Sequence, residues 1–140
     1  REEINLKYKK ISIDLYCCDN IVDVTVLGSV YTLDLSWCKN IIDVSGLGSV
    51  HTLNLSWCKN IIDVSASGSV HTLNLRICKK IRDIGNLRNL KELVLYKEIL
   101  NIHLLKGLKK LIISKDCDKK MKRRIKKLKK INLKVEIEFV

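Results

Sequence analysis

The sequence predicts an α/β solenoid, with one short strand per coil in a parallel β-sheet, 3₁₀ or irregular segments opposite, and a helix-plus-strand cap at the C-terminal end. Three observations carry this reading. Residues 30–49 (VYTLDLSWCKNIIDVSGLGS) return almost unchanged as residues 50–69 (VHTLNLSWCKNIIDVSASGS), so the period is 20 residues. A triplet of slots with spacing three and two, such as Val30, Leu33 and Leu35, occurs seven times, from Lys10/Ile13/Leu15 to Leu128/Ile131/Leu133, at offsets of 20, 20, 20, 20, 18 and 20. After Asp118 the period changes: Met121, Ile125 and Leu128 fall at helical spacing among basic residues, and Ile131, Leu133, Val135, Ile137 and Phe139 then alternate.

Taken in order, residues 1–9 form an N-terminal strand or cap, because Ile4, Leu6 and Tyr8 alternate. Residues 10–117 are the repeats. In each, the last two slots of the triplet alternate with polar residues, the period-2 signature of a strand with one buried face. About five residues make the strand and two turns close the coil, which leaves too few for a convex helix and predicts short 3₁₀ or extended segments. No repeat can bury its own apolar face, so Leu33, Leu35, Ile41, Val44 and Leu47 must stack on their counterparts. Gly28, Gly48 and Gly68 are expected to supply a tight or left-handed turn before each strand, a series that Arg88 breaks. Two coils are irregular: Ser67 stands where Leu27, Leu47 and Leu87 stand, and the fifth repeat is two residues short with Glu98 in the Cys slot. Residues 118–140 are a basic helix and final strand, and Met121, Ile125, Leu128, Ile131 and Leu133 are expected to cover the last coil. The 140 residues form one domain.

Composition agrees with a stacked aliphatic core, since 46% of residues are apolar and only 5% aromatic, with no proline. No apolar run approaches the roughly 18 residues that span a bilayer, and Arg1, Glu2 and Glu3 do not begin a signal peptide. The net charge of +12 is segregated: residues 1–75 hold six Lys and Arg against eight Asp and Glu, and residues 76–140 hold twenty-one against seven. Segregated positive charge attracts anions such as nucleic acid, acidic proteins or lipid headgroups.

The pattern LxxLxLxxC in residues 30–38 and 50–58, continued by IIDV at 41–44 and 61–64, resembles the leucine-rich repeat family over about nine-tenths of the chain. Cys18, Cys38, Cys58 and Cys78 stand where such repeats place Asn or Cys, as in the cysteine-containing subtype. Units such as LGSVHTL at 47–53 are also similar to those of leucine-rich repeat proteins from giant DNA viruses. The resemblance implies a sheet on the concave side and a scaffold or adaptor without a cofactor. A viral protein of this kind belongs in the host cytoplasm or the virus particle.

Four of the six cysteines recur every 20 residues, which places them in a ladder about 4.8 Å apart with parallel Cβ vectors, a poor geometry for disulfides. No CxxC or CxxH pair begins a zinc site. Buried, reduced thiols are expected, with Cys17 and Cys117 exposed, and reduced thiols suit an intracellular setting. Catalysis finds little support. His51 and His71 share one repeat position, His103 stands alone, and Asp23, Asp43, Asp63 and Asp83 read as caps on turn N–H groups.

Binding is the better expectation. Outward strand positions form columns, Thr32–Thr52–Thr72 beside Asp34–Asn54–Asn74, and Trp37 and Trp57 flank them in adjacent repeats, with Ile77 next in line. The expected protein-contact set is Tyr16, Asp34, Trp37, His51, Asn54, Ser56, Trp57, Asn74, Arg76 and Tyr96, because Trp, Tyr and Arg carry much of the binding energy at interfaces. The alternatives are nucleic-acid or anionic-surface binding through Lys119, Lys120, Lys122, Arg123, Arg124, Lys126, Lys127, Lys129 and Lys130, or a structural role within a virus particle. That helix has no aromatic residue to stack on bases.

Overall fold

The computed structural model describes residues 10–97 and 99–140. Seven strands lie side by side in chain order in one parallel sheet: β1 (Ser12–Asp14), β2 (Thr32–Asp34), β3 (Thr52–Asn54), β4 (Thr72–Asn74), β5 (Glu92–Leu95), β6 (Lys110–Ile113) and β7 (Glu136–Phe139). The helix α1 (Lys119–Ile131) connects β6 to β7. The chain is thus a parallel-strand solenoid closed by one helix and a last strand. The expected N-terminal strand at 1–9 and the Glu98 slot lie outside the described residues.

The 20-residue period becomes register. Thr32 pairs with Thr52 and Thr52 with Thr72, while Leu33, Leu53 and Leu73 stack directly below. Three-residue strands are too short to persist alone. Backbone bonds extend each ladder at both ends, His51 N–H donating to the Tyr31 carbonyl at 3.0 Å and Trp37 N–H to the Ser56 carbonyl at 2.9 Å. Beneath the sheet Leu33, Leu35, Cys38, Ile41, Val44, Leu47 and Val50 are at most 1% exposed. Each leucine so buried stabilises the stack by roughly 1.5–3 kcal/mol. Opposite the sheet the 3₁₀ turns Thr25–Leu27, Ser45–Leu47 and Ile102–Leu104 appear as expected.

The turns correct one expectation. No described glycine has a positive φ; Gly28 and Gly48 sit at −64° and −60°. The left-handed residue instead follows each of the first four strands, at Cys17, Trp37, Trp57 and Ile77. The glycines answer a steric demand between coils: a Cβ on Gly28 would collide with the Gly46 carbonyl oxygen, and one on Gly48 would come within 2.8 Å of that of Ala66. The aspartate caps form as expected, with Asp23, Asp43, Asp63 and Asp83 each accepting the N–H two residues on, at 2.7–2.9 Å.

At the C-terminal end Asp118 caps α1 by accepting the Met121 N–H at 2.7 Å, and Met121, Ile125 and Leu128 are buried. Here two further expectations fail. Ile131 and Leu133 are 46% and 88% exposed, and Val135 and Ile137 help to close the coil in their place. The alternating stretch contributes only β7, whose Glu136 pairs with Lys110. Leu128 and Ile131 are three apart, a spacing that fits a helix as well as a repeat triplet, and the run of strong helix formers decides for the helix. Among the described residues no helix is long and apolar enough to cross a membrane.

Candidate functional site

The outward face of the sheet carries the predicted columns, and each column has a local reason. Asp34, Asn54 and Asn74 close the turn after their strands by accepting the N–H of Ser36, Ser56 and Arg76 at 2.8–3.0 Å. Asn54 also donates to Asp34 Oδ2 at 2.9 Å, which ties the first two members of this column together. The turn that these side chains brace is the one that holds Trp37, Trp57 and Ile77 in the left-handed region.

An aromatic stack bounds the strands at each end. On the N-terminal side Tyr31, His51 and His71 are stacked at 4.4 and 4.3 Å between ring centroids, and Lys10 lies over the Tyr31 ring. Burial, and then the neighbouring His71 and Lys10, push the His51 imidazole below the usual histidine range. On the C-terminal side Trp37 lies on Trp57 at 4.3 Å, with Lys59 over the Trp57 indole. Both indoles are half-buried, so the pair packs and still presents an edge.

Of the expected contact residues, Asp34, Trp37, His51, Asn54, Trp57 and Asn74 are partly exposed within β2 to β4 or at their ends. Tyr16 is 59% exposed at the N-terminal end of the array. Ser56, at 9% exposed, is buried, as is Ser36. Arg76 and Tyr96 meet in a shallow cleft of about 260 Å³ at the C-terminal end of the face. Its other lining residues are Val94, Leu95, Ile112, Ser114, Glu138 and Val140. Val94 and Ile112 continue the Asp34–Asn54–Asn74 column, as their pairing with Asn74 and with each other requires, and so replace its polar ladder with an apolar floor. In the linear sequence Val94 and Ile112 stand in the same repeat slot as Asn74, which by itself does not reveal a cleft. The signal is the change from Asn to aliphatic in one repeat slot. Glu138, at the rim, pairs with Lys110 at 3.1 Å and pushes that ammonium's pKa up.

The cysteines are thiols, and the ladder has a bonding pattern. Cys38, Cys58 and Cys78 donate S–H to the carbonyls of Leu15, Leu35 and Leu55 in the preceding coil at 2.9–3.1 Å. Burial pushes the Cys58 and Cys78 thiols up to about 12 and raises Cys38, so none of the three is a nucleophile near neutrality. Cys17 is exposed as expected; Cys18 is only half-buried, and Cys117 is 5% exposed at the foot of α1 rather than on the surface. Among the described residues no group of three or more His, Cys, Asp or Glu side chains is arranged to hold a metal.

On α1 the basic residues Lys119, Lys120, Lys122, Arg123, Lys126, Lys127, Lys129 and Lys130 are exposed. Arg124 is drawn inward, donating to the Ile99 carbonyl at 3.2 Å, and ties the helix to the fifth coil. No protein-family profile and no curated protein sequence matches the chain.

Proposed function

We propose that the chain is a leucine-rich repeat protein of the short, cysteine-containing type that acts as a non-enzymatic scaffold, binding a protein partner through the concave face of its sheet and the adjoining tryptophan edge. One observation supports this most: the outward columns are in strict register, stay partly exposed among the described residues, and end on the Val94–Ile112 floor between Arg76 and Tyr96. A partner side chain of aliphatic or aromatic type fits that floor. Arg76 and Tyr96 then supply forked donors and a flat ring with few torsions to freeze. Thiols free of disulfides and the resemblance of the repeat unit to viral leucine-rich repeats support a place in the host cytoplasm or the virus particle.

Affinity capture from host extract, followed by titration of the captured protein, tests the reading. Arg76→Glu with Tyr96→Ser should weaken binding by at least about 2 kcal/mol, the threshold of a hot spot. Trp37→Ser with Trp57→Ser is expected to do the same if the indole edge shares the contact. Wild-type affinity in both double variants would place the interface elsewhere.

A further inference from the structure

We infer that the C-terminal end of the solenoid docks on an anionic phospholipid surface, a contact independent of the one proposed for the sheet. The helix α1 holds nine Lys and Arg and no Asp or Glu. That arrangement works against the helix itself. Lys119, Lys120 and Lys122 occupy the first turn, where the macrodipole disfavours cations, and pairs such as Lys122 with Lys126 repel at i,i+4 spacing. A mixture of signs would keep the end soluble without either cost, so the uniform charge points to an anion outside the chain.

Exposed apolar groups on β7 and on the loop that joins it to α1 select the kind of anion. Lys122, Lys126 and Lys129 recur at i, i+4 and i+7 and form one stripe. With the buried Ile125 they line a groove of about 300 Å³ whose other wall is Phe139 of β7. Phe139 is 47% exposed, and Leu133, in the loop between α1 and β7, is 88% exposed. A nucleic-acid backbone satisfies the lysines and leaves Leu133 in water. A bilayer takes both: phosphates meet the ammonium groups, whose long stems lie along apolar surface, and the two apolar side chains enter the region beneath. Lysine outnumbers arginine seven to two on α1, and one of those arginines, Arg124, bonds to Ile99. The stripe therefore acts as point charges suited to a fluid array of headgroups rather than as forks fixed on particular phosphates.

The test is co-sedimentation of the full chain with vesicles of phosphatidylcholine alone or mixed with phosphatidylserine, with duplex DNA as competitor. Binding is expected only with phosphatidylserine and should weaken as salt rises from about 0.05 to 0.5 M. Lys122→Gln with Lys126→Gln and Lys129→Gln should lower partitioning at least about tenfold, and Leu133→Ser with Phe139→Ser should lower it by several-fold or more. Leu133→Ser alone, at a site 88% exposed, guards against a folding defect at Phe139. Three results would each overturn the inference: no vesicle binding, which makes the charge a solubility device; vesicle binding indifferent to both serine variants; or DNA bound in preference to vesicles.

Discussion

Trp37 and Trp57 lie face to face, their ring centroids 4.3 Å apart and their planes 13° from parallel, on two turns that both hold a left-handed backbone near φ 65°. The stack follows from the fold, since any side chain in that slot meets its copy one strand spacing away. A double-mutant cycle with Trp37→Ala and Trp57→Ala is expected to return a coupling of about 0.5–1.5 kcal/mol in urea unfolding. Leu53→Ala, at a site 1% exposed, should cost about 2–5 kcal/mol on its own. Additive tryptophan substitutions would mean that the rings do not support each other.

Ser67 occupies a leucine slot, is fully buried, and its hydroxyl has no hydrogen-bond partner among the described residues. Ser67→Ala removes an unsatisfied group at little change in volume and should raise stability by about 1 kcal/mol. A loss of stability would reveal a partner for the hydroxyl, such as ordered water.

The thiols should separate by reactivity. In native protein Cys17 is expected to label fast and Cys18 slowly, with Cys38, Cys58, Cys78 and Cys117 protected until the chain unfolds. Mass spectrometry after timed alkylation reads this directly, and rapid modification of Cys117 would contradict its buried placement.

Acid should destabilise the chain in two stages. His51 is held below the histidine range, whose unfolded value is about 6.5, so its contribution is complete above that pH and is lost as pH falls through the lower folded pKa. Asp23, Asp43 and Asp83 are held below the carboxylate range by N–H donors from Thr25, Ser45 and Gly85. Their contribution is complete above about pH 4 and is lost as pH falls through the depressed folded values. The melting temperature should therefore be level above about pH 6.5 and step down first below that and again below about pH 4. His51→Gln should abolish the first step, and persistence of that step in the variant would assign it to another group.

The parts of the fold that could be read in the sequence are those set by translation. Because residues 30–49 and 50–69 are nearly identical, the pairing of Leu33 with Leu53, the outward Thr column and the turn role of Asp43 and Asp63 all follow from one period. The parts that could not be read arise where one spacing serves two structures or where one residue type has two uses. Leu128 and Ile131 fit both a repeat triplet and a helix, and the helix leaves Leu133 in solvent. A recurrent glycine signals either a positive φ or a near neighbour, and the Gly46 carbonyl facing Gly28 is invisible in a linear reading. Cys117 has no repeat counterpart, so only the docking of α1 shows that it is covered. The cleft at Arg76 and Tyr96 joins the turn after β4 to residues of β5, β6 and β7, the strands of the irregular end.

The register of β2, β3 and β4 makes the middle of this chain extensible by whole numbers. A further copy of residues 50–69 inserted after Ser69 would set Leu53 on Leu53 and Trp57 on Trp57, with neighbours of the kind it already has. Each copy would lengthen the face by about one strand spacing, 4.8 Å, while both ends keep their contacts. Duplication of a short stretch of coding sequence can therefore alter the reach of the molecule without a new folding problem, and the two near-identical coils are what such an event leaves behind.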